Sequence, residues 1–379
     1  MPDTPSQSKK IALVLQGGGA RGAYQVGALK AIAELSAQQR SPFQIICGAS
    51  AGAINAASIA AASNSFQNGV QHTEKLWRSL RCNSIFDTRA LPLLLTSLHW
   101  AGTLLFGHLG LRATGGFLDY SALRALLERE FNHRHLQRAI RSGALHAFCI
   151  TASSYSEGKA VTFFDGHKDI AGWTRARRRG ERTKIGPDHL LASSALPFAF
   201  APVRIGGGFL GDGSLRLTSP LSPAIHTGAS RIVVIATRDQ GTAGMRSRPE
   251  QDSPSIGEIA GHALDILFND NLESDYERLS RVNHTLSLLS PEARQQTPLR
   301  IIEALLLSPS RDLRETAVAH ASEMPQAVRL LIRSMGGRHG DGRLESYLLF
   351  EPGYIGALIQ LGYADTMDRA GEVLAFLRN

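Results

Sequence analysis

The segment Gly48-Ala49-Ser50-Ala51-Gly52 lies between an apolar stretch, residues 43–47 (FQIIC), and an alanine-rich stretch, residues 53–62. The apolar stretch has the composition of a short buried strand, and the alanine-rich stretch favours a helix. A strand, a sharp turn and a helix in this order are the context in which G-x-S-x-G forms a nucleophile elbow. The Ser50 hydroxyl would then project from the turn, and the helix would point its N-terminal N–H groups at the reacting centre.

The pentapeptide alone does not distinguish a catalytic elbow from a glycine-rich turn that precedes a helix. A chain of this length contains G-x-S-x-G by chance roughly a few times in ten. The glycine spacing has a physical reason, because strained backbone at the serine leaves no room for bulky side chains two residues before or after it. The choice between the two interpretations depends on the other segments.

The first of these segments predicts a β-loop-α-β unit. The apolar run Ile11–Leu15 is typical of a strand buried on both faces, and apolar residues after residue 22 recur at helical spacing. Such crossovers are right-handed and join parallel strands. We therefore expect the loop of residues 16–22 (QGGGARG) and Ser50 to lie at the carboxyl ends of neighbouring strands, where open α/β sheets have their sites.

The glycine-rich loop has two interpretations. Gly17, Gly19 and Gly22 match a dinucleotide-binding fingerprint, but that motif also needs an acidic residue at the end of the second strand, and none occurs there. The loop also contains three successive glycines, Gly17, Gly18 and Gly19, which leave backbone N–H groups free to bind a developing oxyanion. We favour the oxyanion hole and keep nucleotide binding as the alternative.

Arg21 lies at the first turn of the predicted helix. A cation at this end opposes the helix dipole and is mildly unfavourable. A surface arginine could tolerate that cost. A functional Arg21 would fix the loop or hold an anionic group of a substrate, together with Gly22.

The composition restricts the partners of the protein. The net charge of +8 favours anionic partners, either nucleic acid or an acidic lipid surface. The basic run over residues 175–184 lacks the interleaved aromatic residues of single-strand binding, so we expect no nucleic-acid partner. Such a run is usually a solvated loop, and near a lipid site it could hold acidic head groups.

The sequence predicts a cytoplasmic protein, either free or peripheral at a membrane. Its three cysteines are far apart, so we expect neither a disulfide framework nor a metal site. Residues 1–10 lack the apolar run of a signal peptide. Residues 91–111 approach the length of a membrane span, but their proline, glycines and histidines argue against a bilayer helix and favour a buried cap or a lipid-facing lid.

The predicted elements divide the chain into three parts. Residues 1–9 form a disordered tail, residues 10–290 an α/β domain, and residues 291–379 a helical C-terminal extension. The α/β domain ends with a long helix over residues 256–281 and a last strand over residues 282–289. Further strands are predicted over residues 144–151, 160–164, 209–214 and 231–237.

A nucleophilic serine needs a base. Thirteen histidines are present, but none lies in a context that marks it as that base. Asp212 follows a short apolar strand and is flanked by Gly211 and Gly213, which would let Ser50 and a substrate approach closely. A carboxylate can accept the proton if burial raises its pKa. Asp-Gly is otherwise an ordinary turn sequence.

Three segments in this order, residues 16–24 (QGGGARGAY), residues 48–52 (GASAG) and Asp212-Gly213, resemble the patatin-like phospholipase family. The resemblance covers roughly residues 10–240. It implies a lipid acyl hydrolase. Because no cluster of Ca²⁺ ligands is evident in the sequence, we expect an activity that needs no metal or other cofactor. The resemblance also implies that Ser50 is the nucleophile, that Asp212 is the base, and that the oxyanion donors are Gly17, Gly18 and Gly19.

The resemblance also implies a fold and a substrate class. The fold is a three-layer sandwich with a mainly parallel central sheet, related to the α/β-hydrolases. The expected substrate is a phospholipid or another lipid ester, reached by transient association with an anionic membrane surface. The positions of Ser214 and Ser219 depart from the family pattern, which usually has glycine or alanine at the first and asparagine at the second. Near the end of the chain, residues 346–352 (SYLLFEP) and 361–365 (LGYAD) resemble a C-terminal extension found in a bacterial subgroup of the family.

Overall fold

The computed structural model describes residues 10–89, 95, 98, 99, 103, 115–238, 253, 255–334 and 342–378. The predicted tail over residues 1–9 lies outside the described residues, as does most of the predicted cap or lid over residues 91–111.

The described strands form one ten-stranded sheet. The strands are β1 Ile11–Leu15, β2 Ile45–Ala49, β3 Ala147–Ser154, β4 Ala160–Gly166, β5 Trp173–Arg175, β6 Arg178–Arg182, β7 Val203–Ile205, β8 Gly208–Gly211, β9 Arg231–Ile235 and β10 Glu303–Leu307. Their order is β10-β9-β1-β2-β3-β4-β6-β5, and β8 pairs with both β3 and β7.

Sixteen α-helices are described between and after these strands. They are α1 Gly22–Ser36, α2 Ala51–Ala61, α3 Phe66–Ser79, α4 Cys82–Ile85, α5 Ser121–Glu130, α6 His133–Arg141, α7 Pro187–Ser193, α8 Ser222–His226, α9 Ile256–Asp265, α10 Asn271–Leu288, α11 Pro291–Gln295, α12 Leu313–Ala319, α13 Gln326–Ser334, α14 Arg343–Leu348, α15 Pro352–Asp368 and α16 Ala370–Arg378. A π-helical turn, Ile266–Asp270, joins α9 to α10.

The centre of the sheet is parallel, as predicted. β1 pairs in parallel with β2 and β9, and these pair in parallel with β3 and β10. Antiparallel pairing begins at β4 and β8, which both run against β3. The fold class is therefore α/β with a mainly parallel sheet, which confirms the prediction.

Helices cover both faces of the sheet and complete three layers. Leu13 and Leu15 of β1 pack in the core cluster that contains α1 and α15. Ala12 and Val14 pack in the opposite cluster, which contains residues of α8 and α10. The apolar run of β1 is continuous because both of its faces are buried.

The β1-α1-β2 unit has the predicted parallel pairing, with Leu15 opposite Gly48. Gly17 and Ser50 each follow two residues later, so both lie beyond the carboxyl ends of adjacent strands. This is the edge at which an α/β sheet presents its functional groups.

Two predictions for the later part of the chain are wrong. Residues 282–289 do not form a strand, because α10 continues to Leu288 and buries Leu272, Leu279 and Leu286 along one face. The sequence predicts only helices after residue 291, but β10 pairs in parallel with β9 and belongs to the central sheet. The leucine-rich composition of β10 favours a helix locally, and burial in the sheet overrides that preference.

The basic run is also different from the predicted loop. Residues 175–184 contribute to β5 and β6 at the edge of the sheet. Arg182 donates to the carbonyl groups of Gly166, His167 and Ile170, and Arg179 forms ion pairs with two glutamates. These two arginines are therefore held by the protein itself.

The C-terminal helix α15 packs closely against α1. A Cβ atom at Gly27 would overlap the carbonyl oxygen of Ile359, and one at Gly362 would overlap that of Tyr24. The two helices approach this closely because each has a glycine at the contact. Within the described part of the chain, no helix has both the length and the apolar character needed to cross a bilayer.

We predict that Gly362→Ala destabilises the protein by about 1–3 kcal/mol, since the added methyl group must push two helix backbones apart. Gly356→Ala is the matched control in the same helix, because its Cβ would meet only the end of the Arg78 side chain at 3.5 Å. It should be neutral or stabilising by up to about 1 kcal/mol. Chemical denaturation measures both, and equal stability of the two variants would contradict the close packing.

Candidate active site

Ser50 occupies a strained turn between β2 and α2. Its backbone has φ 54° and ψ −131°, in the region that non-glycine residues rarely adopt. The side chain is buried. α2 begins at the next residue, so the positive end of its dipole faces the serine.

The two glycines of the elbow are required by close backbone contacts. A Cβ atom at Gly48 would overlap the carbonyl oxygen of Gly52, and one at Gly52 would overlap that of Leu15. The turn therefore has no space for larger side chains at these positions. This gives the physical reason for the spacing in the sequence.

Ser193, at the end of α7, holds the elbow in place. Its hydroxyl accepts a hydrogen bond from the Ser50 N–H at 3.0 Å and donates to the Thr151 carbonyl at 2.6 Å. Sequence analysis did not identify this role. The available signal was the adjacent pair Ser193-Ser194, which precedes Asp212 in the sequence.

Asp212 reaches the same place through β8. Gly211 pairs with Ser153 at the end of β3, and the Asp212 N–H donates to the Ala195 carbonyl at 2.8 Å. The Asp212 side chain is only 1% exposed. Its Oδ1 accepts from the Ser214 N–H at 2.8 Å, whereas Oδ2 has no hydrogen bond of standard geometry to the described residues.

Burial raises the pKa of Asp212 to about 6. The Ser50 hydroxyl lies next to this carboxylate and favours its ionised form, and so does Ser214. The carboxylate is thus more basic than an exposed aspartate and is still mostly ionised at neutral pH. Catalytic hydrogen bonds are often long or poorly aligned in the absence of substrate, which fits the free Oδ2.

Ser214 and Ser219, the two residues that depart from the family pattern, both take part in hydrogen bonds. The Ser214 hydroxyl favours ionised Asp212, so it supports the carboxylate instead of blocking it. Ser219 is buried, and its hydroxyl accepts from Arg278 at 3.3 Å. Gly17 is close to Ser214, because a Cβ atom at Gly17 would lie 2.7 Å from that hydroxyl oxygen.

The glycine-rich loop is held from three sides. The Thr237 hydroxyl donates to the Gly17 carbonyl at 2.7 Å, and the Gln16 side chain binds Phe268 and Thr237. Gly19 has φ 55°, and a Cβ atom there would overlap the carbonyl oxygen of Tyr347. Within the described residues, the Gly18 and Gly19 N–H groups donate no hydrogen bond.

A buried polar network supports the loop from below. Gln25 donates to the Gln16 carbonyl at 2.7 Å, Asn55 donates to Gln25 at 3.0 Å, and Trp77 donates to Asn55 at 2.6 Å. Buried polar groups that are satisfied in this way rigidify their surroundings. The network connects the loop to α1, α2 and α3.

Arg21 is buried at 2% exposure and is bound within the protein. Its Nε and Nη2 donate to the Ser346 hydroxyl at 2.9 and 2.7 Å, and its guanidinium lies 3.9 Å from the centre of the Tyr347 ring. Nη2 also contacts Asp265 at 3.4 Å. The arrangement agrees better with fixing the loop than with holding an anionic substrate group. Neighbouring Gly22 leaves space for the Trp77 ring.

An apolar pocket of about 80 Å³ adjoins Ser50. Its walls carry no aspartate, glutamate, lysine, arginine or histidine among the described residues. The lining residues are Gly19, Ser50, Ala51, Ile54, Leu76, Trp77, Leu80, Ile85, Phe86, Leu123, Leu126, Ser194, Leu196, Phe200, Phe268, Tyr347, Leu348 and Phe350. Such a pocket can hold an apolar chain next to the serine.

Tyr155 is a further residue at this site that sequence analysis missed. Its ring lies over Gly211, and its pKa is raised by burial and by the charge of Asp212. It is half exposed, so it lies at the surface next to the carboxylate. Within the described residues, no three histidine, cysteine, aspartate or glutamate side chains are grouped to hold a metal ion.

Comparisons with known proteins identify the relatives of this chain. A family model described as patatin-like phospholipase matches residues 13–225, more than half of the chain. Among solved structures, the chain is similar to VipD from Legionella pneumophila, with 10% identity and a TM-score of 0.38 over 97% of this chain and 67% of VipD. It is also similar to human GIVD cytosolic phospholipase A2, with 11% identity and a TM-score of 0.45 over 99% of this chain and 61% of the human chain.

The human protein is a longer chain, since the present chain spans 61% of its length. A second structure of it, in complex with methyl gamma-linolenyl fluorophosphonate, gives 12% identity and a TM-score of 0.40, with coverage of 98% and 59%. A search of curated proteins returned no match.

We predict that Ser193→Ala destabilises the protein by about 1–3 kcal/mol, because the buried Ser50 N–H loses its acceptor. Ser194→Ala is the matched control. The Ser194 hydroxyl is buried next to it but has no hydrogen-bond partner among the described residues, so its removal should be neutral or slightly stabilising. Thermal unfolding separates the two, and a larger loss for Ser194→Ala would exclude the proposed support of the elbow.

Proposed function

The chain belongs to the patatin-like phospholipase family, and from this premise we propose that it hydrolyses carboxylic esters of phospholipids or related lipids with Ser50 and Asp212. One observation carries the proposal: Ser50 adjoins both the apolar pocket and the carboxylate of Asp212, whose pKa is raised by burial. The pocket suits an acyl chain, and the carboxylate suits a base.

The first half of the reaction forms an acyl-enzyme. The ester carbonyl oxygen lies against the amides of Gly17, Gly18 and Gly19, which stabilise the negative charge that develops there. Ser50 Oγ attacks the carbonyl carbon, and Asp212 accepts the hydroxyl proton. The tetrahedral intermediate collapses with cleavage of the bond to the alcohol oxygen. Asp212 returns its proton to that oxygen, and the alcohol leaves.

The second half releases the fatty acid. Water enters beside Asp212, which removes one proton as the water oxygen attacks the acyl carbon. Collapse of the second intermediate breaks the bond to Ser50 Oγ, which receives the proton from Asp212. The products are one fatty acid and one alcohol, and the enzyme returns to its starting state.

Substrate access is proposed to involve an anionic lipid surface. The net charge of +8 supports this partner. Phe198 and Phe209 are exposed large apolar side chains near the segment that carries Asp212, which also suits contact with lipid. Arg179 and Arg182 are not included, because the protein itself binds them.

The nucleotide-binding alternative receives less support. A dinucleotide site needs an acidic side chain at the end of the second strand, where this structure has the Ser50 turn.

Ser50→Ala and Asp212→Asn should each lower kcat/KM for ester hydrolysis by about three orders of magnitude or more, because each removes a group that the dyad needs. Ser63→Ala and Asp165→Asn are matched controls. Ser63 is buried two residues after the end of α2, and Asp165 is a half-buried carboxylate in β4 with a raised pKa. Both should retain turnover. Activity like that of the wild type in either dyad variant, with the fold intact by circular dichroism, would refute the mechanism.

The pH dependence follows from the Asp212 pKa of about 6. The base must be ionised, so kcat/KM should fall about tenfold for each pH unit below this value and level off above it. A series of kcat/KM measurements between about pH 4.5 and 8.5 locates the midpoint. A midpoint near the ordinary pKa of an exposed aspartate would show that burial of this base does not govern the reaction.

A further inference from the structure

We propose that residues 343–350 form a wall of the acyl-chain pocket and limit the length of the chain that the pocket accepts. The inference deepens the proposed function and rests on it. The family match ends at residue 225, so this wall lies outside the part of the chain that the family model covers.

The contacts at the pocket support this assignment. Tyr347, Leu348 and Phe350 line the same apolar pocket as Ser50. The Phe350 ring stacks on Trp77, with centroids 6.3 Å apart and an angle of 29°. One face of the pocket therefore comes from the matched region and another from a segment that begins about 120 residues after that region ends.

The segment is fixed at both ends. Ser346 is fully buried and accepts two hydrogen bonds from Arg21, at 2.9 and 2.7 Å. The Tyr347 hydroxyl donates to Asp265 at 2.9 Å. At the other end, the Cys82 N–H donates to the Glu351 carboxylate at 3.1 Å.

The segment also adjoins the glycine-rich loop. The Tyr347 carbonyl lies against Gly19, in space that a Cβ atom at Gly19 would need. Through this contact and the bonds from Arg21, the wall and the loop form one packed unit. A chain that enters the pocket therefore meets a wall that is bonded to Arg21 and packed against the glycine-rich loop.

Leu348 is the best position for a test. It lines the pocket and is half-buried, so its side chain can be enlarged or reduced without opening a fully packed core. A larger side chain shortens a pocket of about 80 Å³, and a smaller one lengthens it. The change should depend on the length of the ligand, which a general loss of stability cannot imitate.

The experiment measures binding of saturated fatty acids with 6 to 16 carbons to the full chain, by displacement of a fluorescent fatty acid. These acids are products of the proposed reaction, so their binding needs no turnover. Leu348→Trp should weaken binding of the longest acids by about tenfold and leave the shortest within about twofold, which corresponds to roughly 1.4 kcal/mol for the long chains. Leu348→Ala should shift the optimum towards longer chains.

Leu358→Ala is the matched control. Leu358 is fully buried in α15, in the same C-terminal region, but it does not line the pocket. This variant should lose stability and keep the chain-length profile of the wild type. A profile that changes in Leu358→Ala as it does in the Leu348 variants would overturn the inference.

The remaining outcomes separate the inference from the proposed function. If the wild type hydrolyses esters but both Leu348 variants keep its chain-length profile, the wall is refuted and the hydrolase stands. If no fatty acid binds the wild type, the inference is refuted whatever the esterase assay gives. If binding changes with chain length as expected but no ester is hydrolysed, the wall is supported and the proposed reaction fails.

Discussion

The structure depends on keeping a carboxylate out of water beside a strained serine. Ionised Asp212 is costly to bury, and Ser50 adopts a backbone conformation that an unsupported turn would leave. The protein meets both costs with a few short-range hydrogen bonds, which come from Ser193, Ala195 and Ser214. These bonds connect the end of α7 to the ends of β2 and β8, so the position of each group fixes that of the other.

Much of this arrangement could be predicted from the sequence, because it follows from local rules. Continuous apolar runs gave the central strands, and parallel crossover geometry placed Gly17 and Ser50 at one edge of the sheet. The glycines around Ser50 mark places where backbones touch, a requirement that only this residue type meets. Asp212 lies between two glycines at the end of a strand, but Asp-Gly is also an ordinary turn sequence, so its identification depended on the resemblance to the family. The proximity of these groups is a property of the structure, and their catalytic roles remain predictions.

The parts that the sequence did not reveal depend on distant contacts. On local preference alone, the leucines of β10 and the residues 282–288 could each form a strand or a helix. Tertiary packing decided between these two structures. Arg21 and Ser346 are more than 300 residues apart, and the sequence around either residue does not indicate its contact with the other. The apolar residues of the pocket wall look like ordinary core residues until the fold brings them to Ser50.

The pairing of β10 with β9 has a consequence for synthesis. Until β10 leaves the ribosome, the outer edge of β9 has unpaired N–H and C=O groups, and such an edge can pair with another chain. α15 emerges later still and then covers α1, one of the first elements made. Contacts between such distant segments slow folding. The nascent polypeptide therefore stays vulnerable to self-association in the interval between the synthesis of β9 and the arrival of β10 and α15.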